Sequence, residues 1–176
     1  MKAIQFIRNS SSAGSAIEVD LPRPTASGHD ILVGVEAVGL NPVDFKVRPG
    51  DGEEPKTLGF DASGTVVGIG DQVTLFKEGD KVYYAGDITR PGSNAEYQLV
   101  DERIVGTRPA SLDAATSAAL PLTALTAWES LFHRLRIDPD NPAGNSGKTL
   151  LIIGGAGGVG SIAIQLAKRA GLTVIA

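Results

Sequence analysis

The sequence predicts a mixed fold, α+β giving way to α/β: a small β-barrel, then the first β-α-β unit of a doubly wound parallel sheet. Three observations predict it. Short apolar runs bounded by turn residues recur over roughly the first 110 of its 176 residues. Helical periodicity replaces them near Ser111. A continuous apolar run, a glycine cluster, an amphipathic stretch and a second apolar run then close the sequence.

The strands follow in order. Ala3 to Ile7 is the first, and Ala16 to Leu21 the second, ended by Pro22-Arg23-Pro24. Asp30 to Leu40 is the longest; apolar Ile31, Val33, Val35 and Ala37 alternate with residues that include Gly34 and Glu36, so one face enters a core. Thr65-Val66-Val67 lies among glycines between Gly59 and Gly70, the pattern of a bent, bulged strand. Phe76 to Tyr84 reads as a turn entering a strand. In Ala95 to Val100, Tyr97 and Leu99 alternate with polar Glu96 and Gln98. Many short strands at near-regular spacing predict a closed or nearly closed barrel.

Ser111 is the expected N-cap of the first helix, with Asp113 in its first turn, where the helix dipole favours an anion. Leu112, Ala115, Ala118 and Ala119 share its apolar face, and Pro121 interrupts it. A second helical run carries Leu125, Trp128, Leu131 and Phe132. Ile137 to Gly147 is rich in Pro, Gly, Asn and Asp and reads as an exposed loop. Thr149 to Ile153 has the composition of a strand buried on both faces. Val159, Ile162, Ala163, Leu166, Ala167 and Ala170 then mark a helical stripe, with Lys168 and Arg169 at its C-terminus and Gly171 at C′. Thr173 to Ala176 begins a second strand. The expected domains are 1–120, a connecting helix and loop at 121–147, and the opening of a nucleotide-binding domain at 148–176.

Composition excludes several classes. The net charge is -4 and no basic run suits a phosphate backbone, so no nucleic-acid partner is expected. Gly, Pro and Thr break every apolar stretch well short of a membrane span. The N-terminus lacks the apolar core of a signal peptide. The absence of cysteine excludes disulfides and thiolate ligands and fits a reducing cytoplasm.

Gly154 to Gly160 contains G-x-G-x-x-G at Gly155, Gly157 and Gly160. The first glycine permits a tight turn, the second a close backbone approach to pyrophosphate, and the third close packing of helix on strand. The helix amides and dipole then face the anion. Strand before, helix after and a second strand beyond are the context this motif requires. Gly155, Ala156, Gly157, Gly158, Val159 and Gly160 are therefore the expected dinucleotide contacts. No Lys-Ser or Lys-Thr follows the glycines, which disfavours a Walker-type loop. The residue that selects between the two nicotinamide dinucleotides falls at or just beyond Ala176.

Four stretches together resemble the medium-chain dehydrogenase/reductase superfamily, in its quinone oxidoreductase or zeta-crystallin branch, which includes proteins labelled zinc-type alcohol dehydrogenase-like. They are Val38-Gly39-Leu40-Asn41-Pro42-Val43-Asp44, Gly59-Phe60-Asp61-Ala62-Ser63-Gly64, Leu120 to Trp128, and the glycine motif. The resemblance implies a GroES-like catalytic domain joined to a Rossmann domain that is truncated here. In zinc-dependent relatives a cysteine ligand takes the place of Asn41, and a His-Glu pair that of Phe60-Asp61. His29 and His133 are the only histidines, and both read as solvated, so no tetrahedral zinc shell can be assembled and no metal site is expected.

The resemblance implies a zinc-independent NADPH- or NADH-dependent oxidoreductase. Hydride would pass to a small quinone or α,β-unsaturated carbonyl compound, in a cytoplasmic protein that is a homodimer at full length. It places Asn41 beside the nicotinamide, able to hydrogen-bond a substrate oxygen; a plain turn residue before Pro42 is the alternative. Thr126 is implied at the nicotinamide end, against a helix residue bonding its own backbone. Asp44 matches a family position and is expected to fix the loop. Phe45 and Lys46 would line the substrate mouth, with core and surface roles as the alternatives, and Asp61 is expected to be structural. The piece is expected to be inactive alone, because a lone β-α-β unit leaves strand faces bare. Two other readings remain open: a zinc-type alcohol dehydrogenase with an atypical metal site, and a non-catalytic GroES-like binding module.

Overall fold

The computed structural model describes residues 1–7, 15–50 and 53–176. They divide into two compact units, Met1–Pro121 and Leu122–Ala176. No helix among the described residues is long and apolar enough to cross a membrane.

The first unit is built from two sheets. One has the order β2-β1-β4, from β1 (Lys2–Ile7), β2 (Ser15–Asp20) and β4 (Lys56–Thr57). The other has the order β7-β3-β5-β6-β8, from β3 (Asp30–Gly39), β5 (Asp61–Ile69), β6 (Lys81–Ala85), β7 (Tyr97–Asp101) and β8 (Val105–Thr107). Among the described residues the sheets meet at a bridge between Ala3 and Ala95, flanked by hydrogen bonds from Ile4 N to Asn94 O (2.8 Å) and Glu96 N to Lys2 O (3.0 Å). The two-residue β4 and three-residue β8 carry too little pattern to be read from sequence.

Ile31, Val33, Ala62, Val66, Val82, Tyr84 and Val100 form the core of this unit. Leu32 is buried too, because register shifts between Leu32 and Val33 and between Val35 and Ala37 break the simple alternation of β3. In β7 the expected faces are reversed. Gln98 and Val100 are buried, whereas Tyr97 and Leu99 are only half-buried. Gln98 tolerates burial because its amide is satisfied: Tyr84 Oη donates to Gln98 Oε1 at 2.9 Å, and Gln98 Nε2 donates to Pro91 O at 3.1 Å.

Glycine sets the spacing of the central ladder. A Cβ on Gly64 would collide with the Gly34 carbonyl oxygen and lie 2.7 Å from Val33 Cγ1, so β3 and β5 are packed backbone to backbone. A second constraint is Glu102, opening a 3₁₀ turn (Glu102–Ile104) and 1% exposed. Its carboxylate accepts from His29 Nδ1 (3.0 Å), Thr74 N (2.9 Å) and Leu75 N (2.7 Å). Burial raises its pKa, but the bonds from His29, Leu75 and Thr74 outweigh that and hold it below the ordinary 4.5. His29, with its side chain 39% exposed, is thus a solvated residue that also partners a buried carboxylate.

The helix after the barrel begins later than expected. Asp113, not Ser111, is the N-cap of α2 (Ala114–Ala118), accepting from Thr116 N at 2.7 Å. Its buried residues are Ser117 and Ala118, and Ala115 and Ala119 are exposed. The short helix α1 (Pro42–Lys46) sits earlier, between β3 and β4.

In the second unit, α3 (Pro121–Trp128) starts at Pro121, which opens a helix where the sequence suggested a break. It continues into a wider π-helical turn (Glu129–Arg134), in which Leu135 N reaches back to Ser130 O. Ala127 and Leu131, one turn apart, are buried, while Leu125 and Trp128 are exposed. The 137–147 segment is not simply exposed. Ile137 and Asn145 are buried, and α4 (Pro142–Asn145) forms a helical turn in which Asn145 Nδ2 ties Asp138 O and Ala170 O at 2.7 and 2.9 Å.

Strands β9 (Thr149–Leu151) and β10 (Thr173–Ile175) pair in parallel, joined by α5 (Gly158–Arg169). Val159, Ile162, Ala163, Leu166, Ala167 and Ala170 pack with Leu150, Ile152 and Val174, as the helical stripe predicts. Gly171 adopts φ 87° past the C-terminus of α5; its N–H bonds Lys168 O and that of Leu172 bonds Ala167 O, a Schellman closure. The strands are covered on one face only: Leu151, Ile153 and Ile175 are exposed, contrary to the two-sided burial their composition suggests.

Two expectations follow. Gly64→Ala lowers the unfolding free energy by about 1–3 kcal/mol through overpacking, whereas Gly68→Ala, with ordinary contacts to Leu32, stays within about 0.5 kcal/mol. Urea titrations decide it, and equal effects would contradict the backbone-contact argument. Because folding depresses the Glu102 carboxyl, its stabilisation is present above the unfolded pKa and is lost as pH falls through the folded one. Urea midpoints measured from about pH 7 down to about pH 3 are therefore expected to fall less steeply in Glu102→Gln than in the parent chain.

Candidate functional site

The sequence-predicted residues form two constellations, one in each unit. The first gathers around Asn41. β3 ends at Gly39, where a Cβ would collide with Ala118 O, and Gly39 pairs with Asp61 at the start of β5. Asn41 follows as N-cap of α1, in an extended conformation, with Pro42 at N1. Its backbone N–H donates to Asp44 Oδ2 at 2.6 Å, and its side-chain Nδ2 donates to Asp61 Oδ2 at 2.8 Å. Asp44 therefore closes the loop on itself, while its Oδ1 is buried without a hydrogen-bond partner.

Asp61 is 1% exposed, and its backbone oxygen accepts from Ser93 Oγ at 3.3 Å. Phe60 beside it is 2% exposed and offers no ligand atom. Phe45 and Lys46, on the outer side of α1, are exposed. The first unit also carries clefts of about 490, 300 and 450 Å³, and none is lined by Asn41, Asp44 or Lys46.

The second constellation is the glycine turn between β9 and α5. Gly154, one residue before the G-x-G-x-x-G spacing, takes the left-handed φ of 79°. The fingerprint spacing alone does not mark it; the extra glycine in the run does. A Cβ on Gly155 would lie 2.7 Å from Ala176 Cβ and 3.2 Å from Ile164 Cδ1, so this glycine is needed for close packing. Gly160 is buried, and a Cβ there would collide with Gly154 O and lie 2.8 Å from Gly155 Cα, so the helix presses directly on the turn.

Ala156, Gly157 and Gly158 are exposed, and Val159 is half-buried. Gly157 is the N-cap of α5, so no side chain caps the first turn and its amides are available to an anion. Gly158 approaches Thr123 of α3, where a Cβ would sit 3.0 Å from Thr123 Cγ2. Thr126 lies one turn further along α3; it is exposed, and its hydroxyl donates to Leu122 O at 2.7 Å. Trp128 is partly exposed and stacks edge-on against Phe132 with centroids 4.5 Å apart.

The donors around Asn41 do not suit a tetrahedral zinc. An amide N–H points at Asp61, Phe60 contributes no lone pair, and among the described residues no group of three or more His, Cys, Asp or Glu converges. The glycine turn does suit a dinucleotide: it has no side chains in the way, and it opens a 12-residue helix from its N-terminal end.

Comparison with known proteins agrees with this architecture. Residues 27–110 match the alcohol dehydrogenase GroES-like domain. The chain is 54% identical over 154 residues to a zinc-type alcohol dehydrogenase-like protein of Staphylococcus aureus strain COL, covering 87% of this chain and 46% of that one. It is 40% identical over 182 residues to the 2-methylene-furan-3-one reductase of Solanum lycopersicum, covering 96% and 44%. The quinone oxidoreductase structure from Coxiella burnetii superposes with a TM-score of 0.81 at 33% identity, covering 99% of this chain and 55% of that one. The chain thus spans less than half the length of the curated relatives it matches. With the fold, the glycine turn and these matches in agreement, the chain belongs to the medium-chain dehydrogenase/reductase superfamily.

Proposed function

We propose that this chain forms part of a zinc-independent, NAD(P)H-dependent oxidoreductase that reduces a quinone or an α,β-unsaturated carbonyl compound. The observation that carries this reading is the glycine-rich turn, with no side-chain N-cap, at the N-terminal end of α5. Backbone amides of this turn and of the first residues of α5, other than that of Gly157, which donates to Gly154 O at 3.0 Å, would hold the pyrophosphate, assisted by the helix dipole. A bound nicotinamide coenzyme supplies the hydride, which no side chain here can provide.

The chain's own residues bind and orient. Thr126 would meet the nicotinamide end from α3, and Asn41 would offer an amide N–H to a substrate oxygen. Asp44 keeps the loop that presents Asn41, and Phe45 with Lys46 would form the outer wall. The acceptor class is supported by the tomato relative, named as a reductase of 2-methylene-furan-3-one, a conjugated ketone. Zinc independence is supported by the donor set at Asn41, Phe60 and Asp61.

The test uses a polypeptide that carries this chain and extends to the length of its relatives. NADPH, the nucleotide to try first, is expected to quench Trp128 emission saturably and to be oxidised by an enone or a quinone. Turnover is expected to survive exhaustive dialysis against a chelator. Loss of activity on chelation, restored by zinc, would instead favour the zinc-type alcohol dehydrogenase. Absence of both quenching and turnover would favour a binding module.

Gly157→Asp separates binding from folding. Its φ of -76° is open to any residue, a Cβ there would lie 3.3 Å from Gly154 O, and aspartate is a better N-cap than glycine, so the unfolding free energy is expected to change by no more than a few tenths of a kcal/mol. The same carboxylate occupies the amides and repels phosphate, so the NADPH dissociation constant is expected to rise by about tenfold or more. Fluorescence titration and urea unfolding of the same variant give both numbers, and unchanged affinity would remove the glycine turn from the site.

A further inference from the structure

We propose that Asp61 is a positioning residue that orients the Asn41 amide for the reaction. The inference rests on the functional reading above for its consequence, but not for its geometry.

Asn41 is held from two sides by carboxylates. Asp44 takes its backbone N–H at 2.6 Å, and Asp61 takes one side-chain N–H at 2.8 Å. A carboxylate only accepts, so the NH₂ group, not the carbonyl oxygen, must face Asp61. The amide is planar, so once one N–H is committed the direction of the second is fixed about 120° away. That second N–H is the donor left for a substrate oxygen.

Asp61 is well placed for this. It is 1% exposed, lies within the β3–β5 ladder opposite Gly39, and its backbone oxygen is bonded by Ser93 Oγ. Asn41 sits on a loop two residues past the end of β3, where its backbone alone leaves χ1 and χ2 free. The buried strand residue therefore lends its rigidity to the loop residue. Asp61 need not touch the ligand.

Asp61→Asn is the informative variant, because it keeps the shape of the buried side chain. An amide at this position can either donate or accept, so the sense of the Asn41 amide is no longer enforced. In the extended polypeptide, kcat is expected to fall about tenfold to a hundredfold, while the KM for the nicotinamide nucleotide stays within about twofold. In an Asn41→Ala background, the same change is expected to cost less than about twofold further. An equal loss in both backgrounds, or none in the single variant, overturns the proposal.

A second readout does not depend on activity. In this chain labelled with ¹⁵N, the Asn41 side-chain amide protons are expected to exchange slowly with water, and to shift and exchange faster in Asp61→Asn. An unchanged Asn41 signal overturns the proposal on its own. If the extended polypeptide reduces neither quinones nor enones, the functional reading fails, and the NMR result still decides whether Asp61 orients Asn41.

Discussion

The pairing of β3 with β5 is the constraint on which the first unit depends. Gly64 lies against Gly34 with no space for a methyl group, so the strands approach as close as backbones can. That distance fixes the ladder down to its last pair, Gly39 with Asp61. Gly39 is itself pressed under the Ala118 carbonyl, which docks α2 on the same end. Asn41 leaves the ladder two residues later and reaches back to Asp61 by its side chain. A side-chain bond thus continues what the backbone pairing began. A wider strand spacing would leave a buried carboxylate without this partner, at a cost well above an ordinary hydrogen bond.

The second unit uses the same device for a different end. Here contact without side chains occurs between a turn and its own helix, at Gly155 and Gly160. Close packing there turns the first residues of α5 outward with no side chain between their amides and solvent. In one unit, backbone contact carries an amide side chain on a rigid frame; in the other, it exposes backbone amides directly. Both present hydrogen-bond donors, the groups that recognise the oxygens of carbonyls and phosphates.

Much of this was legible in the sequence because it is local. The strands of the first unit show in their turn residues, and the α5 stripe and Gly171 show in a single window. What stayed hidden depended on partners distant in sequence. Gln98 looked like a solvent residue until Tyr84, 14 positions away, was seen to satisfy it. His29 is solvated as it looked, but its partner Glu102 lies 73 positions away and stayed hidden. Ser111 and Asp113 are both competent caps, and only the bond to Thr116 decides between them. In α3 the large apolar Leu125 and Trp128 are exposed and the small Ala127 is buried, a choice of face that residue size alone does not signal. Asn41 and Asp61 were each visible in a motif, but their bond spans 20 positions and has no periodic signature.

That bond also bears on how a buried acidic group at the start of β5 is accommodated. A metal site and an amide–carboxylate pair solve one problem in different ways: a buried acidic group at the start of β5 needs compensation. A cation compensates it by charge and must recruit further lone pairs to complete its shell. An asparagine compensates it in part, by a hydrogen bond to one of its oxygens. With Asn41 in place, Asp61 Oδ2 accepts a hydrogen bond from a neutral amide where a cation would otherwise bring charge. The residues present in this chain build the amide–carboxylate pair, which ties the loop after β3 to the first residue of β5 through a hydrogen bond between two side chains.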